Sequence, residues 1–97
     1  MQFLFQIDDV FMIEGRGCVL APGLPFASAT VVRKGTRIII VPPAGERFDT
    51  VVAECETINR GIPAWRVAIC LPGDVRKEML ALGSRVYLAQ GSEQQSD

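Results

Sequence analysis

The sequence predicts an all-β chain, a small antiparallel barrel or sandwich of six or seven short strands. Three observations carry this. Alternating or β-branched apolar runs recur along the chain, Gly/Pro turns punctuate them, and a single short segment has helical spacing. Closing such a sheet on itself removes exposed edges, which favours a barrel for a chain of 97 residues.

From Phe3 to Ile13 the odd positions read Phe3, Phe5, Ile7, Asp9, Phe11 and Ile13, and the even positions are mostly polar. That alternation predicts one strand with its odd face on a core. Asp9 interrupts the apolar side. Either the strand bulges or bends at Asp8-Asp9, the commoner device in barrels, or a carboxylate is held inward. Gly15-Arg16-Gly17 supplies the positive-φ freedom of a hairpin turn. Cys18 to Ala21 is then a short strand, ended by Pro22-Gly23.

A loop with a weak strand near Thr30 to Val32 leads to a turn at Lys34-Gly35. The β-branched run Arg37-Ile38-Ile39-Ile40-Val41 predicts a strand buried on both faces. Pro42-Pro43-Ala44-Gly45 stops it. Thr50 to Ile58 reads as one strand, with Val51, Ala53 and Cys55 opposite in parity to Glu54 and Glu56. After a loop from Asn59 to Pro63, Ala64 to Leu71 is a strand with Trp65, Val67, Ile69 and Leu71 on one face. One or two helical turns follow: Asp74 suits an N-cap, Val75, Met79 and Leu82 share a face, and Gly83 suits C′. Arg85 to Ala89 closes the domain. Residues 1–89 are thus one domain and the polar residues 90–97 a frayed tail.

Composition limits the function. With 48% apolar and 22% charged residues the chain is of globular type. A net charge of −1 argues against a generally basic nucleic-acid binder, although a local basic patch remains compatible. The N-terminal segment has no basic start, and no run reaches the roughly 20 apolar residues of a membrane-spanning helix. Cys18, Cys55 and Cys70 lie in apolar or strand-like runs and are expected to be reduced, buried side chains of a cytoplasmic protein without membrane contact.

The residues of catalysis are sparse. There is no histidine, so the commonest general acid/base is missing and a zinc site is disfavoured. Ser28, Ser84, Ser92 and Ser96 have no base near them in sequence, and the cysteines lack a cationic neighbourhood. No phosphate-binding glycine loop is present, so no nucleotide or other cofactor is expected. Asp8 and Asp9 are adjacent in a strand and point to opposite faces, which prevents a proton-sharing dyad. The expectation is a binding protein and not an enzyme.

Residues 7–20, read as Ile7-Asp8-Asp9-Val10-Phe11-Met12-Ile13-Glu14-Gly15-Arg16-Gly17-Cys18-Val19-Leu20, carry a family likeness. The stretch resembles the opening of the second, β-barrel domain of elongation factor Tu and related translational GTPases, where D-V-F-x-I-x-G-R-G precedes T-V-V-T-G. Arg33 to Ile38, Thr50 to Val52, Ala64 to Leu71 and Asp74 to Leu88 follow the family's later segments in order. The resemblance spans roughly residues 5–89 and implies a six- to seven-stranded antiparallel barrel with one short helix before the last strand. The barrel is expected to stand alone, because a preceding GTPase domain needs on the order of 150 further residues.

In that family the acidic pair and aromatic of the first strand help hold the aminoacyl end of tRNA. The resemblance therefore implies binding roles for Asp8, Asp9 and Phe11, joined by Arg16 and Arg66. Here Cys18 replaces a family threonine, and Arg66 replaces the asparagine of the G-E-N-V-G segment. A carboxylate suits an ammonium or amide, and an aromatic ring suits a stacked adenine. Alternation, by contrast, would place Phe11 in the core.

Two function classes follow. The first is a module that contacts tRNA or another translation component, with a basic patch from Arg33, Lys34 and Arg37 gathered with Arg16 and Arg66. The second is a protein-interaction module that binds another protein or itself through an apolar patch around Phe26, Pro42-Pro43, Ile62 or Trp65.

Overall fold

The computed structural model describes residues 2–25, 32–58 and 66–89. Among them eight strands form: β1 (Gln2–Gln6), β2 (Asp9–Ile13), β3 (Gly17–Pro25), β4 (Arg37–Val41), β5 (Phe48–Val51), β6 (Glu54–Ile58), β7 (Arg66–Cys70) and β8 (Arg85–Leu88). All pairings are antiparallel. They make two four-stranded sheets, in the orders β1-β8-β4-β5 and β2-β3-β7-β6. The fold is all-β, as expected.

The pairings divide the strands into two four-stranded sheets where one barrel sheet of six or seven strands was expected. The cause of this division lies at two bends. Phe3–Ile13 is not one strand but two, broken at Ile7 and Asp8. Ile7 donates its N–H to the Ser84 carbonyl at 2.8 Å beside the first sheet, and Asp8 donates to the Ala21 carbonyl at 2.8 Å in the second. Thr50–Ile58 likewise splits into β5 and β6. Val52 N–H bonds to the Thr36 carbonyl at 2.9 Å, and Ala53 N–H bonds to the Cys70 carbonyl at 2.8 Å. At each bend the chain leaves one sheet and enters the other, as strands do at the corners of packed sheets.

The core fills the space between. Phe5, Ile7, Val10, Cys18, Leu20, Ile38, Ile40, Val52, Ile69, Leu71 and Val86 are buried in one cluster. The β4 expectation holds: Ile38, Ile39 and Ile40 are all buried, in a strand flanked on both sides. β3 runs on through Pro22-Gly23, where a stop was expected. The irregularity between Leu20 and Leu24 absorbs these two residues before pairing with β7 resumes, and the Ala21–Pro22 peptide is cis.

The expected helix before the last strand is a single 3-10 turn at Lys77–Met79. Arg76, and not Asp74, occupies its N-cap position. The buried residues of this segment are Val75 and Leu80, whereas Met79 and Leu82 are exposed. A spacing of five residues does not form one face of an α-helix, so burial selects a looser path. No helix among the described residues is long and apolar enough to cross a membrane.

The expected features at Phe26, Thr30-Val31, Asn59 to Trp65 and 90–97 lie outside the described residues.

Candidate functional site

Strand register places the candidate residues. In the second sheet Val10 pairs with Leu20, and Leu20 with Ile69; these side chains point into the core. The alternate set lies on the opposite face, where Val19, Ala68 and Cys70 form a second buried cluster and Phe11 and Glu54 at the two edges are exposed. Phe11 lies across from Val19, Val19 from Cys70, and Cys70 from Glu54, so one row crosses all four strands. Asp9 opposite Ala21 and Glu56 opposite Ala68 belong to the same face. Arg66, two residues before Ala68, shares it as well.

The bend at Asp8 explains Phe11. Before it the odd residues Phe5 and Ile7 are buried; after it Val10 is buried and Phe11 is 46% exposed. One residue of offset moves every following side chain to the other face. Alternation through Asp9 had assigned Phe11 and Ile13 to the core, and the structure corrects both. Asp8 and Asp9 are exposed, and Asp9 Oδ1 accepts the Val10 N–H at 2.9 Å. No carboxylate is held inward here.

Both arginines of this face have intramolecular partners. Arg16, at the β2–β3 turn, forms an ion pair with Glu56 on β6 and so reaches across β3 and β7. Arg66 donates from Nε to the Pro22 carbonyl at 3.0 Å and from Nη2 to the Gly23 carbonyl at 3.1 Å. A planar guanidinium forks naturally onto two neighbouring acceptors, as Lys cannot.

The face continues into a groove of about 480 Å³ at the hairpin end. Its lining includes Arg16, Lys34, Glu54, Cys70 and Pro72, together with the Val51–Ala53 bend. Of the residues expected in one basic patch, Arg16 and Lys34 line this groove, and Arg66 and Phe11 do not. Arg33 is exposed in the same turn, which closes through the Arg33 N–H on Thr36 Oγ1 at 3.0 Å. Arg37 is exposed on β4, opposite Val51. Glu54, Glu56 and Cys70 are site residues that the sequence did not single out. The shared parity of Glu54 and Glu56 was visible, but the register that sets Glu54 across from Cys70 was not.

Pro42 is half-buried and Pro43 exposed, beside a second depression of about 390 Å³ shared with Gln6 and Arg85.

All three cysteines are free. Cys18 and Cys70 are buried, but Cys55 is exposed, which corrects the expectation that all three are buried. Burial pushes each thiol up from its ordinary value, with Glu54 adding to the rise at Cys55. At Cys70 the Arg16 guanidinium works against that rise. A raised thiol is protonated at neutral pH and is a poor nucleophile. Among the described residues no three His, Cys, Asp or Glu side chains gather as a metal site.

Comparison with protein-family models, curated proteins and solved structures finds no match. The class defined by fold and face is therefore a small two-sheet β protein with an exposed aromatic and flanking carboxylates on one sheet.

Proposed function

We propose that this chain is a non-enzymatic binding module of the translation-factor barrel type, with the outward face of β2-β3-β7-β6 as its recognition surface. The carrying observation is Phe11, exposed beside Asp9 on the face that also bears Arg66. Support for the barrel type comes from the two bends. If β1 runs on as β2 and β5 as β6, the pairings connect six strands in a ring: β1/β2, β8, β4, β5/β6, β7 and β3.

The ligand that fits is an RNA end of the translation apparatus, tRNA foremost. Phe11 stacks on a base, and Asp9 on the same face receives an ammonium or amide. Lys34 at the groove, with Arg33 exposed in the same turn, supplies phosphate contacts. Arg16 and Arg66 are positioning residues that keep the face in register. Three free thiols suit a reducing, cytoplasmic setting.

Titration of the full chain with tRNA at low salt, followed by fluorescence anisotropy, tests this. Binding is expected to weaken as salt rises and to fall about tenfold or more in Phe11→Ala, the cost of one lost base stack. Absence of binding at low salt overturns the RNA reading. A protein ligand is the second reading, favoured by the exposed run Phe11-Met12-Ile13 on β2.

A further inference from the structure

The first sheet, β1-β8-β4-β5, carries an aromatic pair with an uncommitted cation beside it. Val86 is buried in the core, so its neighbours Arg85 and Tyr87 lie on the opposite face. The irregularity in β1 between Phe3 and Phe5 brings Phe3 to that face too. Phe5 is buried across from Val86, whereas Phe3 lies across from Tyr87 and is 51% exposed. Regular alternation would have kept Phe3 on the side of Phe5. The Phe3 and Tyr87 rings meet edge to face, with centroids 5.6 Å apart.

The depression of about 390 Å³ opens on the same face. Its side-chain hydrogen-bond donors are Gln6 and Arg85, which pair directly across β1 and β8. Arg85 is exposed and has neither an ion pair nor a side-chain hydrogen bond among the described residues. Arg16 and Arg66 of the other sheet, by contrast, are both committed. Arg85 and Tyr87 are two residues apart on β8, about 6.7 Å along the strand. The row that starts at Phe3 and Tyr87 passes Ile39 and ends in Asp49 on β5. That carboxylate is three strands from Phe3, about 14 Å away. The cation is thus the charge nearest the rings.

We propose that this face is a nucleotide site. Phe3, braced by Tyr87, stacks on a base, and Arg85 with Gln6 in the depression holds the phosphate of the same nucleotide. Charge and shape select this class of ligand. An exposed ring offers its face to any planar base. An uncommitted guanidinium takes an anion, and its planar fork matches two phosphate oxygens. The spacing between Tyr87 and Arg85 is one that a single ribose bridges. A purely apolar ligand leaves Arg85 without a counter-charge, and a nucleoside does the same. The recognised chemistry is a base with its own monophosphate, either free or at the end of a single strand. The site lies on the sheet that Phe11 does not share, and it does not rest on the tRNA reading.

A chemical-shift titration of the full chain by NMR at low salt tests it, with adenosine monophosphate, adenosine and inorganic phosphate as probes. The monophosphate is expected to bind with a Kd of about 1 mM or below, about tenfold tighter than either fragment, and to shift β1 and β8. Phe3→Ala is expected to weaken it about tenfold. Arg85→Gln is expected to reduce it to the affinity of adenosine while leaving adenosine unchanged. A tetraadenylate with a terminal phosphate separates the two sources: affinity equal to the monophosphate marks the free nucleotide, and about tenfold tighter binding marks a strand end. No binding of the monophosphate, adenosine binding equally well to the wild type, or shifts confined to β2-β3-β7-β6 overturns the proposal. Any of these results leaves tRNA binding through Phe11 to its own titration. If circular dichroism shows Phe3→Ala unfolded, Arg85→Gln decides, and undiminished preference for the monophosphate over adenosine overturns the site.

Discussion

Arg66 and Gly23 are fastened from two directions. The Arg66 Nη2 donates to the Gly23 carbonyl at 3.1 Å, while the Gly23 Cα lies so close to β7 that an added Cβ would fall 2.3 Å from the Val67 carbonyl oxygen. This contact seats the irregular stretch of β3 against β7, and the outward face depends on it.

Gly23→Ala is expected to destabilise the protein by about 3 kcal/mol or more. Its φ of 79° is costly for a side chain, and the obstacle is rigid backbone. Gly15→Ala is the control. Its φ is similar, at 81°, but nothing lies within 4 Å of the added carbon, so only backbone strain of about 1–2 kcal/mol is expected. Urea unfolding midpoints for the two variants check the difference.

Arg66→Ala leaves two carbonyls without their charged donor and is expected to cost about 1–3 kcal/mol. Arg66→Lys is expected to recover less than half of that, since an ammonium does not fork onto both acceptors. Thermal or urea denaturation gives both values. Full rescue by lysine contradicts the bidentate role.

The thiols set an alkaline limit. Each folded-state value lies above the ordinary 9.0, so the folded chain binds those protons more tightly than the unfolded chain. Their contribution is complete below pH 9.0 and declines as pH rises past it through the folded values. Unfolding free energy is expected to fall as pH rises above 9.0, less steeply in Cys70→Ala.

Thiol accessibility separates the same residues. A disulfide reagent on the native chain is expected to modify Cys55 alone. Cys18 and Cys70, at 0% and 1% exposure, are expected to react after denaturation. Fast reaction of all three contradicts the packing of the second sheet.

What could be read from the sequence was local. The Gly15-Arg16-Gly17 turn, the β4 run Arg37–Val41 and the alternation at Val67 and Ile69 each carry their signal within a few residues. The bend at Asp8 was one of the two readings that Asp9 on the apolar side allowed, whereas the bend at Val52-Ala53 left no such trace. Each depends on which distant strand takes the next hydrogen bond, Ser84 against Ala21 in one case and Thr36 against Cys70 in the other. Carrying the odd parity on past the first bend keeps Phe11 and Ile13 on the apolar side, and this is why they read as core. Asp9 on the apolar side was the visible trace of it. Asp9, Phe11, Arg16 and Arg66 were all named from sequence. Their shared face, and the partners that occupy both arginines, required the register of β3 and β7.

Phe11→Ala, measured for stability and for tRNA affinity on the same preparation, tests the recognition face most directly. An exposed binding aromatic predicts an unfolding free energy within about 1 kcal/mol of wild type and an affinity reduced about tenfold or more. A loss of about 3 kcal/mol or more in stability, or unchanged affinity, contradicts it, since the first marks a core phenylalanine and the second a ring that touches no ligand.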